Sequence, residues 1–370
     1  MRVLLLIPTL DQSGAEKQLV LLARGLPRPE FDVQVCCLTR GGPYESLLEK
    51  AGIPCTVLGK RFKIDPLALS RLRGLIRRVK PDLLHTWLFA ANSYGRLAVG
   101  SRPAFPVVVS ERCVDSWKAG WQFWVDSRLA GRTQALVANS NSVANFYRER
   151  GFPAERIQVI PNGILPPSEL PNRERIREEL NVPAQVPVVC YAGRLARQKR
   201  VEDLIWGFEL IRAIRANVLF LIAGDGPERQ RLEEFSRGLG LENHVRFLGH
   251  RTDVPALLAA SDLFWLGSDF EGMSNSVMEA MACGLPVLAS DIPPNRELVV
   301  PGKTGFLVPV GDRAGYAQFG ERLLFDRQLA TTLGAAGKAR ILEEFSVERM
   351  VDAHVALYRQ LVTSRQPCAA

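Results

Sequence analysis

Apolar runs alternate with helical patterns along the whole chain. The first run, Val3–Ile7, is continuous, as is typical of a strand buried on both faces of a parallel sheet. A glycine-containing turn and a helical pattern from Ala15 to Leu26 follow it. The repeated alternation predicts an α/β fold of right-handed βαβ units. The predicted strands are Val3–Ile7, Val33–Leu38, Thr56–Leu58, Leu83–His85, Val107–Ser110, Ala135–Asn139, Ile157–Ile160, Val186–Ala192, Val218–Ala223, Val245–Leu248, Leu263–Leu266, Pro286–Ala289 and Gly305–Val308.

A proline-rich segment divides this pattern into two halves. Residues 161–171 contain Pro161, Pro166, Pro167 and Pro171, a composition typical of a linker. The plan of strand, glycine turn and helix restarts at Val186. We therefore predict one domain over residues 1–163 and a second over residues 172–346, with a last helix at about 347–363.

The composition is that of a soluble globular protein, with 47% hydrophobic and 23% charged residues. No apolar run reaches the ~18–20 residues that span a membrane, and the opening run is too short for a secretory signal. The four histidines are scattered and no Asp-x-Asp pair occurs, so no metal site is predicted. The cysteines form no Cys-x-x-Cys pair, which fits a reducing cytoplasm. They are Cys36, Cys37, Cys55, Cys113, Cys190, Cys283 and Cys368.

The net charge of +8 is unevenly distributed. Residues 1–163 hold 23 basic and 13 acidic side chains, a net +10, whereas the remaining residues have a net charge of −2. A basic surface on the first half suits phosphate-rich lipid, an anionic membrane or nucleic acid.

The stretch from Asp269 to Val287 is the most informative chemically. Ser274 or Asn275 can cap a helix that runs to about Ala282. A helix N-terminus at the carboxyl edge of a parallel sheet is a natural seat for phosphate. Glu279, about one turn into the helix, could accept hydrogen bonds from ribose hydroxyls, and Glu271 could reach a sugar. The structural alternative is a capped core helix with two solvated carboxylates.

Glu271 and Glu279 have seven residues between them within FEGMSNSVMEAMACGLPV, which resembles the EX7E motif of family 4 retaining glycosyltransferases with the GT-B fold. Further stretches resemble that family in the same order along the chain. They are SGAEKQL (13–19), ANSNSVANFYRERGFPAERIQVIPNGI (138–164), YAGRLARQKRVEDLI (191–205) and IAGDGPERQRLE (222–233). The resemblance implies two Rossmann-like domains facing across a cleft, with a C-terminal helix crossing back to the first domain.

The resemblance also implies a role for each matching residue. Arg194 and Lys199 would hold the diphosphate of a nucleotide-sugar donor and stabilise the leaving group without metal or other cofactor. Gly14 would let the first domain approach the same phosphates, and Glu279 would bind ribose. Glu271 would contact the sugar hydroxyls. The other implied donor-binding residues are Phe247 and Leu248 beside the base, and Gly272, Met273, Ser274, Asn275 and Ser276 around the phosphates and sugar.

His85 is the candidate catalytic histidine. It is predicted to end its strand at the edge that faces the cleft. Many family members have a His-x-His sequence in this region, and this chain has His85-Thr86-Trp87 instead. His85 could contact the donor sugar or support developing charge, or it could be a buried structural histidine.

Retention of configuration follows from the resemblance. The sequence offers no clear carboxylate nucleophile for a double displacement. We therefore favour a front-face reaction, in which the leaving phosphate accepts the acceptor's proton and the protein supplies positioning and charge stabilisation.

Two segments of the first domain combine apolar and basic residues. The helical pattern from Pro66 to Lys80 carries arginines around an apolar face, and Trp117, Trp121 and Trp124 recur at helical spacing near Lys118, Arg128 and Arg132. Such interleaving suits a membrane interface and a lipid-linked acceptor. Each segment also fits an ordinary amphipathic core helix.

Other functions remain open. A nucleotide-sugar 2-epimerase of the same architecture would need no acceptor, and a non-catalytic sugar-nucleotide-binding protein would retain the site without turnover. A dehydrogenase is disfavoured because neither half contains Gly-x-Gly-x-x-Gly. We find no convincing pyridoxal-phosphate lysine motif of a phosphorylase and no nucleic-acid-binding motif.

Overall fold

The computed structural model describes residues 1–167, 169 and 171–364, so Cys368 lies outside the described residues. The chain divides into two compact units. Unit 1 comprises Met1–Gly163 and the C-terminal segment that begins at Val347, and unit 2 comprises Ile164–Ser346.

Seven strands of the described residues form the parallel sheet of unit 1, in the order β3-β2-β1-β4-β5-β6-β7. Apolar side chains fill both faces of its central strands, as expected of strands covered by helices on each side. The strands are β1 Arg2–Ile7, β2 Asp32–Cys37, β3 Cys55–Val57, β4 Leu83–Trp87, β5 Val107–Glu111, β6 Ala135–Ala138 and β7 Ile157–Val159. The helices are α1 Gly14–Gly25, α2 Glu45–Lys50, α3 Pro66–Val79, α4 Leu88–Ala98, α5 Gly120–Leu129 and α6 Asn141–Glu149.

Unit 2 repeats this plan with six strands of the described residues, in the order β10-β9-β8-β11-β12-β13. They are also parallel, and one large apolar cluster surrounds them. The strands are β8 Val188–Ala192, β9 Leu219–Ala223, β10 Val245–Gly249, β11 Leu263–Leu266, β12 Val287–Ser290 and β13 Gly305–Val308. The helices are α7 Arg173–Glu179, α8 Val201–Ile214, α9 Arg229–Gly238, α10 Val254–Ala260, α11 Asn275–Ala282, α12 Pro293–Leu298, α13 Arg313–Phe325 and α14 Arg327–Glu344.

The last helix, α15 Val347–Thr363, packs on α1 within unit 1. Met350, Val351 and Val355 of α15 join the apolar cluster that contains β1 and α1. The side chain of Val351 occupies the space beside Gly25, where an added Cβ would lie 2.5 Å from its Cγ2 atom. The end of the chain therefore completes the core of the unit in which the chain begins.

The predicted α/β fold is confirmed, and each predicted strand is found within one or two residues of its expected bounds. The clearest difference is β4, which continues two residues beyond His85 to Trp87.

The cysteines of the described part of the chain are free thiols. The Cys37 and Cys55 sulfur atoms lie 3.8 Å apart, too far for a disulfide. The described residues contain no helix that is both long and apolar enough to cross a bilayer, and no cluster of three or more side chains suited to hold a metal ion.

Candidate functional site

The predicted donor site lies on loops that follow β8, β9 and β11 of unit 2. These strands are neighbours in the sheet, so the loops leave the same edge. Ligands of open α/β sheets bind at this carboxyl edge. The first loop contains Arg194 and Lys199, and the third contains Glu271 and leads into α11.

The loop after β8 rests directly on the backbone of the loop after β9. The Gly193 N–H donates to the Ala223 carbonyl at 3.0 Å, and the Leu195 N–H donates to the Asp225 carbonyl at 2.9 Å. Gly224 has a φ of +146°, and a Cβ placed on it would lie only 1.8 Å from the Gly193 carbonyl oxygen. This close approach therefore requires glycine at position 224 and fixes the path of the chain on either side of Arg194.

The second part of the same loop is fastened to the loop after β11. The Asp269 N–H donates to the Gln198 carbonyl at 2.8 Å, and the Gln198 side-chain amide donates to the Phe270 carbonyl at 2.5 Å. Arg200, in the left-handed region with a φ of +47°, pairs with Asp269 at 3.2 Å. Lys199 is thereby held beside the residue that follows Phe270.

Lys199 and Glu271 form the central contact of the candidate site. The Lys199 Nζ atom lies 2.5 Å from Glu271 Oε1, and the Ser268 hydroxyl donates to the same oxygen at 2.6 Å. Glu271 is only 8% exposed, so its charge is substantially removed from water. A buried carboxylate of this kind depends on its cation and hydrogen-bond donor for stabilisation.

Arg194 differs from Lys199 in its surroundings. Its backbone is fixed, because the buried Tyr191 hydroxyl donates to the Arg194 carbonyl at 3.0 Å. Its side chain is exposed, and among residues 1–167, 169 and 171–364 it has no ion-pair partner. The structure thus brings together two predicted diphosphate ligands, one paired and one available to an anion.

The predicted phosphate-binding helix is found as α11. Its N-cap is Ser274, whose hydroxyl oxygen accepts a hydrogen bond from the Val277 N–H at 3.4 Å. Gly272, Met273 and Ser274 are buried. The remaining predicted residues on this helix, Asn275, Ser276 and Glu279, are half-buried.

Phe247 and Leu248, predicted beside the base, lie on the edge strand β10. Both are half-buried and pack against the core of unit 2. The register between β10 and β9 shifts between Phe247 and Gly249, and the Gly249 carbonyl accepts from the Gly224 N–H at 2.8 Å. Gly249, which follows the two predicted base-binding residues, is therefore hydrogen-bonded to Gly224, the glycine on which the Arg194 loop rests.

Gly14 belongs to unit 1 and is the first residue of α1, rather than part of the preceding turn. Ser13 occupies the N-cap position with an extended backbone, and its hydroxyl donates to the Glu16 carboxylate. Glycine at the first helical position leaves backbone N–H groups without a side chain over them.

The expectation that His85 ends its strand is wrong, and the structure fits the alternative of a buried structural histidine. His85 lies in the middle of β4, has no exposed surface, and is surrounded by side chains of unit 1. Its Nδ1 atom lies 2.5 Å from the Tyr358 hydroxyl of α15, and its Nε2 atom lies 2.8 Å from the Ser110 hydroxyl. Burial, with smaller contributions from His354 and Arg112, holds the pKa of His85 well below its usual range. The geometry is that of a neutral core histidine.

Ser268 and Gly224 are site residues that the sequence analysis did not single out. Gly224 was visible within the stretch IAGDGPERQRLE, where it directly precedes the turn-forming sequence Asp225-Gly226. Ser268 gave no comparable signal, because only the folded loop brings its hydroxyl to Glu271.

The apolar and basic segments of unit 1 lie on neighbouring helices. Trp117, Trp121 and Trp124 are 59%, 60% and 59% exposed, so they are not core residues. Phe89 of α4 contacts Trp121 of α5, with ring centroids 5.7 Å apart. On the α3 side, the Asp65 N–H donates to the Tyr94 hydroxyl of α4 at 2.7 Å.

The loop before α3 and the first turn of that helix present a second group of exposed apolar side chains. Phe62, Ile64 and Leu67 are exposed and stand beside the exposed Arg61 and Lys63. α3 and α5 each pack against α4, and we call the two exposed groups together the aromatic surface.

Lys118 is not part of this surface. Its Nζ atom is buried among Asp115 at 2.9 Å, Asp126 at 3.3 Å and Glu111 at 3.4 Å. Because its carboxylate partners surround it, its charge is balanced inside the unit. Arg128 remains exposed and lies over the Trp124 ring at 5.1 Å.

Two family models match the chain over nearly all of its length. Residues 12–166 match Glycosyltransferase Family 4, and residues 172–340 match Glycosyl transferases group 1. The chain is 29% identical to the lipopolysaccharide core biosynthesis glycosyltransferase LpsE of Rhizobium meliloti over 351 residues, which cover 93% of this chain and 95% of LpsE. It is 26% identical to an Escherichia coli UDP-Gal:alpha-D-GlcNAc-diphosphoundecaprenol alpha-1,3-galactosyltransferase, with 92% of each chain covered.

Solved structures agree with the family models. The crystal structure of Anabaena HepE in complex with UDP-glucose superposes with a TM-score of 0.86 and 27% identity, covering 98% of this chain and all of HepE. The two parallel-sheet units and these relatives define an enzyme of the glycosyltransferase class with the GT-B fold. Within that class, the chain belongs to the family 4, or group 1, glycosyltransferases.

Replacing Gly224 by alanine should disrupt the loop that holds Arg194. The added Cβ must displace the Gly193 carbonyl, and alanine is strained at a φ of +146°. We expect a loss of at least ~2 kcal/mol in the unfolding free energy, measured by urea denaturation. Gly238→Ala is the matched control: it ends α9 with no atom within 4 Å of the new Cβ. Equal stability of the two variants would contradict the proposed packing.

The buried His354 should make unit 1 sensitive to acid. Burial is the main cause that lowers its pKa from 6.5 to about 4. Between these values the unfolded chain binds a proton that the folded chain does not, so stability falls as the pH decreases from 6.5 to 4. His354→Gln should remove roughly 2–3 kcal/mol of the loss between pH 7 and pH 4.5, measured by urea unfolding. His250→Gln, which removes an exposed histidine of unit 2, is the matched control. An unchanged loss in His354→Gln would refute the assignment.

Proposed function

We propose that this glycosyltransferase moves a hexose or N-acetylhexosamine from a nucleotide-sugar to a glycan or lipid-linked acceptor, with retention of configuration and without a metal. The Lys199–Glu271 pair beside the N-terminus of α11 is the observation that carries the proposal. In this proposal the lysine is the cation for phosphate and the glutamate is the carboxylate for sugar hydroxyls, because nucleotides bind at this edge of open α/β sheets.

Donor binding would use both cations of the first loop. The exposed Arg194 reaches the diphosphate first, and Lys199 then exchanges part of its contact with Glu271 for phosphate oxygens. Glu271, still held by Ser268, accepts hydrogen bonds from the sugar hydroxyls. Glu279 binds the ribose one turn along α11, and Phe247 and Leu248 lie beside the base.

The reaction proposed is a front-face displacement. The bond between the anomeric carbon and the diphosphate oxygen breaks, and the acceptor oxygen forms its bond to the same face of that carbon. The acceptor's proton passes to the leaving diphosphate oxygen, so the products are the glycoside and the nucleoside diphosphate. Arg194 and Lys199 stabilise the charge that develops on the leaving group.

The names of relatives support a UDP-sugar donor and a surface-glycan acceptor. HepE was crystallised with UDP-glucose, and the Escherichia coli relative is named for UDP-Gal and a diphosphoundecaprenol-linked sugar. LpsE is named for lipopolysaccharide core biosynthesis. We propose a UDP-hexose or UDP-N-acetylhexosamine donor and an acceptor of the polysaccharide-precursor kind, handled in the cytoplasm.

Donor binding provides the first test. We expect one of UDP-glucose, UDP-galactose, UDP-N-acetylglucosamine and GDP-mannose to raise the melting temperature of the wild type. Arg194→Met and Glu279→Ala should each lower its affinity about tenfold or more, since each removes a direct ligand contact. Arg197→Met is the matched control, because this exposed arginine lies in the same loop and pairs with Glu228. Loss of binding in the control and retention in Arg194→Met would contradict the assignment.

Product analysis separates the transferase from the alternatives. Incubation with donor alone should leave the sugar configuration unchanged, whereas a 2-epimerase would convert it. Donor with acceptor should give an α-glycoside from an α-linked donor, seen by NMR, with activity retained in EDTA. A trapped covalent glycosyl-enzyme would refute the front-face reaction.

We further propose that the aromatic surface contacts an anionic membrane at which a lipid-linked acceptor is held. Exposed tryptophans with Arg128 beside them, and exposed Phe62 and Ile64 with Arg61 and Lys63 beside them, match the apolar and charged layers of a lipid interface. The net charge of +10 over residues 1–163 favours anionic headgroups.

Vesicle flotation tests this membrane contact. The wild type should float with phosphatidylglycerol-containing vesicles and not with pure phosphatidylcholine. Trp121→Ser/Trp124→Ser should reduce the bound fraction about tenfold, because it removes the apolar area that enters the interface. Leu210→Ser/Ile214→Ser removes exposed apolar side chains from unit 2 and should bind normally. Wild-type protein without preference for anionic vesicles would overturn the proposal.

A further inference from the structure

Arg112 is a buried cation in unit 1 without a carboxylate partner. It directly follows β5 and is 8% exposed. The guanidinium donates through Nη2 to the Asn162 side-chain oxygen and lies over the Trp87 ring, 4.5 Å from its centroid. Its Nε and Nη1 atoms are buried and have no hydrogen-bond acceptor among the residues that the structure describes.

Other buried cations of unit 1 are compensated. Arg96, which is 2% exposed, pairs with Asp126 at 2.5 Å and donates to the Asn92 carbonyl at 2.9 Å. Lys118 is surrounded by three carboxylates. Arg112 has no carboxylate partner among the described residues, and burial lowers its pKa to about 9. An uncompensated buried charge destabilises the folded state. A bound anion would therefore stabilise unit 1 more at Arg112 than at the buried cations that already have carboxylate partners.

The surroundings of Arg112 offer further polar atoms. Trp87 Nε1, Asn139 Oδ1 and His354 Nε2 are also buried without partners within the described residues. Trp87 ends β4, Arg112 follows β5 and Asn139 follows β6, so these groups share the carboxyl edge of adjacent strands. The Asn139 amide donates to the Arg112 carbonyl at 3.2 Å, which fixes the two loops together.

The contact with Asn162 links Arg112 to the start of α1. The next residue, Gly163, exchanges two hydrogen bonds with the Gln18 side chain, at 2.8 and 2.9 Å. Gln18 is about one turn into α1, which begins at Gly14. The positive end of a helix and an uncompensated guanidinium therefore belong to one connected part of the sheet edge.

We propose that Arg112 is the centre of an anion-binding site in unit 1 that takes a phosphoryl group. A phosphoryl group offers several oxygens to the unpaired Nε and Nη1 donors and supplies the missing negative charge. Because both donors are buried, the anion reaches them only after small displacements of neighbouring side chains. The existence of the site rests on unit 1 alone. Its assignment to a substrate phosphate rests on the proposed function.

Inorganic phosphate is the first probe. Phosphate should raise the melting temperature of the wild type relative to chloride at equal ionic strength, and Arg112→Met should abolish this increase. Arg112→Lys should retain part of it, because it keeps the charge. Without phosphate, Arg112→Met should melt no lower than the wild type, since it removes a costly charge. Wild-type protein unaffected by phosphate, or an undiminished increase in Arg112→Met, would overturn the proposal.

Arg96→Met is the matched control. It removes a buried arginine that has a carboxylate partner, so it should lower the melting temperature while leaving the phosphate-dependent increase intact. If Arg112→Met does not fold, a phosphate response that Arg112→Lys retains only in part supports the site, and one equal to the wild type overturns it.

Two further ligands identify the source of the phosphoryl group. A tenfold or greater loss of UDP affinity in Arg112→Met assigns the site to the donor diphosphate. An equal loss for geranyl phosphate, with UDP binding unchanged, assigns it to a phosphorylated lipid acceptor. Unchanged binding of both ligands and of inorganic phosphate contradicts the site. If the nucleotide-sugar site of unit 2 proves wrong, the inorganic phosphate result still decides the question for unit 1.

Discussion

The close approach of two backbones at Gly193 and Gly224 is the constraint on which the proposed donor site depends. A single Cβ at position 224 would overlap the Gly193 carbonyl, so the loop after β8 can rest on the loop after β9 only through glycine. That support fixes Arg194 above one strand end and lets the following residues reach the loop after β11. Lys199 then meets Glu271, although 72 positions separate them in the chain. A backbone requirement thus determines where two opposite charges meet.

The two units compensate their buried charges differently, and this difference decides which cations are available to a ligand. In unit 2, Lys199 and Glu271 neutralise each other, so neither charge is left unpaired before the proposed opening of the pair to phosphate and sugar hydroxyls. In unit 1, Lys118 is bound by carboxylates and is unavailable to a ligand. Arg112 is buried without such partners. The availability of a cation therefore depends on its neighbours and not on burial alone.

The fold could be predicted from sequence because continuous apolar runs mark central parallel strands. These runs predicted the bounds of each strand to within one or two residues. The cap of α11 at Ser274 was also predictable, since side-chain capping is local. The environment of His85 was not, because the residues that enclose it include Tyr358, from the far end of the chain. Lys118 was misplaced for a similar reason: helical spacing gives the face of a helix, whereas the carboxylates that surround this lysine come from the end of β5, the loop after it and α5.

The distribution of charge extends this argument to ligands that approach from solution. Unit 2 pairs most of the basic side chains around its candidate site, as with Arg200 and Arg231. Residues 1–163 carry ten more basic than acidic side chains, and many of these, including Arg77 and Arg78 of α3, are exposed. Such a surplus acts over about 8–10 Å at physiological salt, so it concentrates anionic ligands near unit 1 before any specific contact forms. Specificity must then come from short-range groups, because a diffuse positive field attracts a lipid headgroup and a free phosphate alike.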